Sequence, residues 1–209
     1  MSETEKLMDF IENHCYTQLI FDLDETLSWL NLPWSEGYEV LCQRASSTVE
    51  PLMRKKLRQK AGYSQIVNPA IRTDESFLPI AIDWAVQFEA QLVEHVPHFE
   101  LVSQIPTLAK KHTILLWSSN THGAIEKVLA DLDILNYFTR IIGREDVKYI
   151  KPMADGWSYF ANDNIPVKQY LFIGDSENDK GAAEQIGLDY FEIKHFKQSK
   201  DNLNVSRKV

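Results

Sequence analysis

Gln18-Leu19-Ile20-Phe21-Asp22-Leu23-Asp24-Glu25-Thr26-Leu27 is the stretch on which the fold turns. A short apolar run stops abruptly at two aspartates. An apolar run without alternation suits a strand buried on both faces, with polar residues emerging at its carboxyl end. The pattern returns downstream. Thr113-Ile114-Leu115-Leu116-Trp117 ends in Ser118-Ser119-Asn120, and Tyr170-Leu171-Phe172-Ile173 ends in Gly174-Asp175. Arg140-Ile141-Ile142-Gly143 and Tyr190-Phe191-Glu192-Ile193 are shorter candidates. Helical patterns are expected between them, at about 98–111, 121–132, 152–162 and 178–186, the last stopped by Gly187. Strands that alternate with helices build a parallel, doubly wound α/β sheet.

The stretch from about 30 to 96 breaks this alternation and offers no convincing buried strand. Ile80, Trp84, Phe88 and Leu92 recur every four residues, the mark of an amphipathic helix. A second helical stretch is expected from about 36 to 60, interrupted near Pro51. The segment reads as a mostly α-helical insertion after the first strand. At the amino end, Ser2-Glu3-Thr4-Glu5 has the form of a capping box that opens a helix. The tail after about His195 is polar and expected to be loosely held.

Composition sets outer limits. The 209 residues carry a formal net charge of −8, with 44% hydrophobic and 25% charged residues. That is enough apolar material for a core, and the acidic balance argues against a general nucleic-acid binder. Two cysteines, Cys15 and Cys42, make neither a disulfide framework nor a zinc site. No run approaches the roughly 20 apolar residues of a membrane span, and the acidic start lacks the regions of a signal peptide. A cytoplasmic setting without membrane association is the expectation. The oligomeric state is open.

Polar clusters fall where open α/β sheets bind ligands, beyond the carboxyl ends of strands. They are Asp22 with Asp24, Ser119 with Asn120, and Asp175 with Asp179, while Lys151 sits in a loop. Converging carboxylates repel one another unless a cation joins them, and all-oxygen ligation suits Mg²⁺. A phosphate dianion needs that cation, a lysine, and donors at a helix N-terminus. Ser119, Asn120 and the amides of Thr121-His122-Gly123 can supply the donors, and Lys151 the charge. A carboxylate so neutralised can attack phosphorus.

These residues resemble the four motifs of the haloacid dehalogenase-like superfamily. Asp22-Leu23-Asp24-Glu25-Thr26 resembles its DxDxT motif and Ser119-Asn120 its second. Lys151-Pro152 is similar to the third, and Gly174-Asp175-Ser176-Glu177-Asn178-Asp179 to the fourth. The resemblance covers about 1–30 and 97–195. It implies a Rossmann-like core, residues 1–30 and 97–209, and a helical cap, residues 31–96. It implies that Asp22 is nucleophile and metal ligand, and that Asp24 is general acid–base and binds Mg²⁺ through its carbonyl. Thr26 would support the loop, Ser119 and Lys151 would hold the phosphoryl group, and Asp175 and Asp179 would complete the metal site. Ser118 and Ser119 compete for the second motif; Ser119 is preferred because Asn follows it.

The implied activity is Mg²⁺-dependent hydrolysis of a small phosphorylated metabolite through an aspartyl-phosphate. A phosphomutase shares this chemistry. A non-catalytic phospho-acceptor would need neither Asp24 nor a cap. Trp29, Trp34 and Tyr38 either line the entrance or pack the cap. The basic run Arg54-Lys55-Lys56-Leu57-Arg58-Gln59-Lys60 reads first as a solvated helix face, with steering of an anionic substrate as the sharper alternative.

Overall fold

A computed structural model of the chain describes residues 1–194. The expectation for the tail after His195 falls outside them. Helix α1 (Glu3–Glu12) opens on the expected capping box: the Ser2 hydroxyl accepts from the Glu5 amide, and Glu5 reaches back to the Ser2 amide. Strand β1 (Gln18–Phe21) follows, then a short β2 (Ser28–Leu30). Four helices come next: α2 (Trp34–Gln43), α3 (Glu50–Arg58), α4 (Tyr63–Thr73) and α5 (Phe77–Glu89). Strand β3 (His95–Pro97) returns antiparallel to β2, so the chain leaves for the helices and comes back along one two-stranded ribbon.

The rest alternates. Helices α6 (Phe99–Val102) and α7 (Ile105–Leu108) precede β4 (Thr113–Trp117), then come α8 (His122–Asp131), β5 (Phe138–Ile142), β6 (Tyr170–Gly174), α9 (Glu177–Ile186) and β7 (Asp189–Glu192). The main sheet is parallel, in the order β5-β4-β1-β6-β7. Chain progress runs outward from β1 through β4 to β5, then restarts on the other side at β6. The reversal falls at β1, which is where an open α/β sheet forms its crevice.

Side-chain alternation along β1 explains why the strand is apolar throughout. Leu19 and Phe21 enter the cluster built with α1, α6, α7 and α8, and Ile20 enters the one built with α9 and Trp117. Each of these three is fully buried, and removal of such a side chain from water contributes roughly 1.5–3 kcal/mol. The inserted helices hold a core of their own, around Leu41, Met53, Ile66, Trp84 and Phe88.

Several helical expectations resolve differently. The single helix at 98–111 is two one-turn helices, because Pro106 opens α7 and cannot continue α6. Pro51 lies in the first turn of α3, where a missing N–H costs nothing, so it starts a helix; the break lies at residues 44–49. The helix at 152–162 is only a 3₁₀ turn, Asp155–Tyr159. There Gly156 packs so close that a Cβ would meet the Trp117 ring at 2.4 Å. Helix α4 and strand β2 have no counterpart in the sequence reading. Among the described residues no helix is long and apolar enough to cross a membrane.

Candidate active site

Residue 22 is still held by the sheet, its amide donating to the Ile173 carbonyl at 3.0 Å. Beyond it the chain turns sharply. The amides of Thr26, Leu27 and Ser28 all donate to the Leu23 carbonyl, and Glu25 takes a positive φ of 65°. Asp22 and Asp24 flank the residue whose carbonyl anchors this turn. Asp22 is buried, at 6% exposure, and Asp24 is half-buried, its carboxylate accepting from the Leu30 amide at 2.9 Å. Thr26 is fully buried and its hydroxyl donates to Asp175 at 3.2 Å, tying the turn to the end of β6.

Lys151 reaches this point from its loop and is 3% exposed. Its Nζ donates to Asp22 Oδ1 at 2.6 Å, to the Trp117 carbonyl at 2.9 Å, and to Asp179 Oδ1. Those three acceptors match the three protons of an ammonium. Asp179 has two duties, since its Oδ2 also receives the Ser176 hydroxyl at 2.6 Å and caps α9. Gly174 makes room for it: a Cβ there would lie 2.7 Å from the Asp179 side chain. Carboxylate oxygens of Asp22, Asp175 and Asp179 fall within 4.8 Å of one another.

The electrostatics follow from burial. Desolvation drives the Asp22 carboxyl well above the usual range; Lys151 opposes this, and Asp179 and Asp175 add to it. Burial pushes Asp24 up to about 7, against the Leu30 hydrogen bond and with help from Glu25, Asp175 and Glu89. For Lys151, burial disfavours the charge, but Asp179 and Asp22 outweigh it and the net direction is up.

The loop after β4 gathers differently from the expectation. Ser118 is buried, and its hydroxyl bonds the Asn120 side chain at 2.8 Å and accepts from the Asn120 amide at 3.1 Å. Ser119 is half-buried, and its hydroxyl makes no hydrogen bond among the described residues. The Asn120 side chain donates to Glu89 Oε1 at 3.2 Å. The Thr121 amide and hydroxyl donate to Glu89 Oε2 at 2.7 and 2.8 Å, and the His122 amide faces Glu145 at 3.1 Å. Two of the three amides expected at a phosphate, those of Thr121 and His122, therefore meet carboxylates, and the Asn120 side chain is engaged inside the protein. His122 is half-buried, and its ring Nε2 lies 2.6 Å from Asp146.

Glu89 is the residue the sequence reading misses. It lies at the end of α5, is 2% exposed, and is pushed up to about 7 by burial, with the Thr121 and Asn120 hydrogen bonds opposing. Its only sequence signal is a charge on the helical stripe one residue after Phe88. Helix α4 docks beside it: Ser64 bonds Asn178 at 3.1 Å, and Asn68 clamps the Ile150 backbone at 2.8 and 3.1 Å. Trp34 and Tyr38 pack with Tyr63, Trp84 and Phe88 in the helical layer, whereas Trp29 is 40% exposed. On α3, Arg54 is held by Glu50 and Glu39.

The family model for haloacid dehalogenase-like hydrolases matches residues 19–193, and the chain belongs to that family. A protein of Bacteroides fragilis assigned to the haloacid dehalogenase-like hydrolases superposes with a TM-score of 0.59 at 20% identity, over 91% of this chain and 93% of that one. A predicted phosphoglycolate phosphatase of Haemophilus somnus superposes with a TM-score of 0.54 at 19% identity, over 92% and 98%. Identities of this order speak for the fold. In sequence, the phosphoglycolate phosphatase of Escherichia coli K12 is 41% identical over 64 residues, 30% of this chain. The match spans a quarter of that relative's length.

Proposed function

We propose that this haloacid dehalogenase-like hydrolase is a Mg²⁺-dependent phosphatase acting on a small phosphorylated metabolite, with Asp22 as covalent nucleophile. The observation that carries the reading is the convergence of Asp22, Asp24, Lys151, Asp175 and Asp179 at the carboxyl ends of β1 and β6. The curated relatives named phosphoglycolate phosphatase support a small phosphomonoester as the substrate class.

The donor set fits Mg²⁺. Three clustered carboxylates face one lysine, an excess of buried negative charge that a hard, oxygen-seeking dication offsets. Asp22, Asp175 and Asp179, with the Asp24 carbonyl, would hold it. When bound, the ion neutralises charge on the phosphoryl oxygens and on the acids around them.

The residues then divide the work. Lys151 and the Ser119 hydroxyl orient the phosphoryl group. Ser119 suits this better than Ser118, whose hydroxyl is held by Asn120. Asn120 shapes the loop that presents Ser119. An Asp22 oxygen forms a bond to phosphorus as the bond to the leaving oxygen breaks, and Asp24 gives that oxygen its proton. A water oxygen then attacks the phosphorus of the aspartyl-phosphate, its proton passes to Asp24, and Asp22 leaves as a carboxylate. A group held near 7 can serve as acid and then as base at neutral pH. Residues 31–96 act as the cap over a core of 1–30 and 97–209, excluding water from the reaction; the bonds from Ser64 to the first turn of α9, and from Asn68 and Glu89 to the loops after β5 and β4, support this.

The test is phosphate release with Mg²⁺ across a panel of phosphorylated metabolites and one aryl phosphate. Release from the aryl phosphate and from a small subset of the metabolites is expected. No release from any of them overturns the reading.

A further inference from the structure

In the loop after β4, the side chains of Ser118, Asn120 and Thr121 are all hydrogen-bonded, whereas the Ser119 hydroxyl makes no hydrogen bond among the described residues. Residue 119 is clamped on both sides. Before it, the Ser118 amide donates to the Ile142 carbonyl at 3.0 Å. After it, the Asn120 carbonyl accepts from the Arg144 amide at 2.8 Å. The Asn120 side chain joins the two sides: its Oδ1 accepts from the Ser118 hydroxyl at 2.8 Å, and its Nδ2 donates to Glu89 Oε1 at 3.2 Å. Glu89 completes the clamp through Oε2, which accepts from the Thr121 amide at 2.7 Å and the Thr121 hydroxyl at 2.8 Å.

This loop is bonded to the catalytic groups. Just before Ser118, the Trp117 carbonyl accepts from Lys151 Nζ at 2.9 Å, and the same Nζ donates to Asp22 Oδ1 at 2.6 Å. Burial chiefly raises the Asp24 carboxyl, and the Glu89 charge adds to that rise, so Glu89 stands within electrostatic reach of the acid–base. A helix cap alone does not account for these contacts. Thr121 occupies the N-cap of α8, where a threonine hydroxyl ordinarily accepts from an amide of its own first turn. It makes no such bond and donates to Glu89 instead. Glu89 comes from a different layer, the end of α5, and is 2% exposed. Burying a carboxyl is costly unless hydrogen bonds offset it, and those Glu89 accepts come from the two residues that follow Ser119.

We propose that Glu89 is a positioning residue for phosphoryl transfer: from the helical layer it fixes Asn120 and Thr121, and with them the backbone that presents the Ser119 hydroxyl to the phosphoryl group. The inference rests on the phosphatase reading. Glu89 acts through Ser119 and not on the substrate, and its contribution is geometric, because small displacements of an orienting group cost rate steeply. The phosphate loop is then complete only while α5 packs against α8, which makes the helical layer part of the catalytic geometry as well as a cover.

The experiment is a double-mutant cycle on the full chain, read as kcat/KM for an aryl phosphate with Mg²⁺ at pH 8: wild type, Glu89→Gln, Ser119→Ala and the two combined. Glu89→Gln keeps the size of the side chain and sets an amide against the donors of Thr121 or Asn120. Alone it should lower kcat/KM by on the order of 10-fold. In the Ser119→Ala background the further loss should fall toward a factor of one, because the hydroxyl that Glu89 positions is gone. A structural role costs the same factor in both backgrounds, and that result overturns the inference while the phosphatase reading stands. Full activity in Glu89→Gln, or in Ser119→Ala, overturns it as well. No phosphate release by wild type overturns the phosphatase reading and this inference with it. Should Glu89→Gln fail to fold, Thr121→Val removes one side of the same contact, and an equal loss in the two Ser119 backgrounds decides against the inference.

Discussion

Replacing Glu89 by Gln keeps the size of the side chain and removes its charge, and its effect on stability should depend on pH in a defined direction. Glu89 is 2% exposed and accepts three hydrogen bonds, two from Thr121 and one from Asn120. Burial moves its folded pKa from 4.5 to about 7. A folded pKa above the unfolded one means that the native state binds the proton more tightly. The associated stability is complete below about 4.5 and is lost as pH rises through 7. That rise from 4.5 to about 7 converts to an upper bound of about 3 kcal/mol. Glutamine has no such dependence. It also places an amide donor against donors of Thr121 or Asn120, at a cost of roughly 1–3 kcal/mol. Denaturant unfolding of both proteins at pH 5 and pH 8 gives the difference. The variant should be clearly less stable at pH 5 and should recover up to about 3 kcal/mol relative to wild type by pH 8. A stability difference that is the same at both pH values, or that grows with pH, refutes the description of Glu89 as a carboxyl held neutral by burial.

Other outcomes follow from the same geometry. Excess EDTA should abolish phosphate release, Mg²⁺ should restore it, and Ca²⁺ should inhibit, because its looser coordination misplaces the nucleophile; turnover in EDTA contradicts this. Ser119→Ala should lower kcat/KM by on the order of 10-fold with little change in stability, whereas Ser118→Ala should lower stability by roughly 1 kcal/mol through its lost contacts with Asn120; paired unfolding and kinetic measurements separate the two. Asp24→Asn should slow turnover by roughly 10²–10⁴-fold and accumulate phosphoenzyme from an aryl phosphate, whose leaving group departs without protonation. Neutralising Lys55, Lys56 and Arg58 together should leave KM unaltered at low and high salt, as a solvated face requires.

The sheet is legible in the sequence because parallel strands buried on both faces leave continuous apolar runs, and because their polar stops coincide with the strand ends. Asp22, Lys151, Asp175 and Asp179 are drawn together by long-range strand order, yet each has a local signature. Glu89, Arg144 and Tyr63 have none. They lie where α4 and α5 pack against segments 31 to 114 residues away, and no spacing in the sequence encodes that docking. Helix α4 escapes notice because Pro69 and the polar Asn68 interrupt its stripe, although Asn68 is the side chain that clamps the loop before Lys151. The helix expected at 152–162 fails for a packing reason, the close approach of Gly156 to Trp117. Single-residue choices at Pro51 and Pro106 likewise decide where helices start.

The most direct measurement of the central claim is rapid-quench trapping of the protein with an aryl phosphate and Mg²⁺, followed by intact mass and peptide mapping. Wild type should carry a transient phosphoryl group, mapped to Asp22, that forms and decays at rates consistent with turnover. Asp22→Asn should carry none with any substrate while remaining folded. Equal labelling of wild type and Asp22→Asn, or a phosphoryl group mapped to another residue, contradicts the assignment of Asp22 as nucleophile.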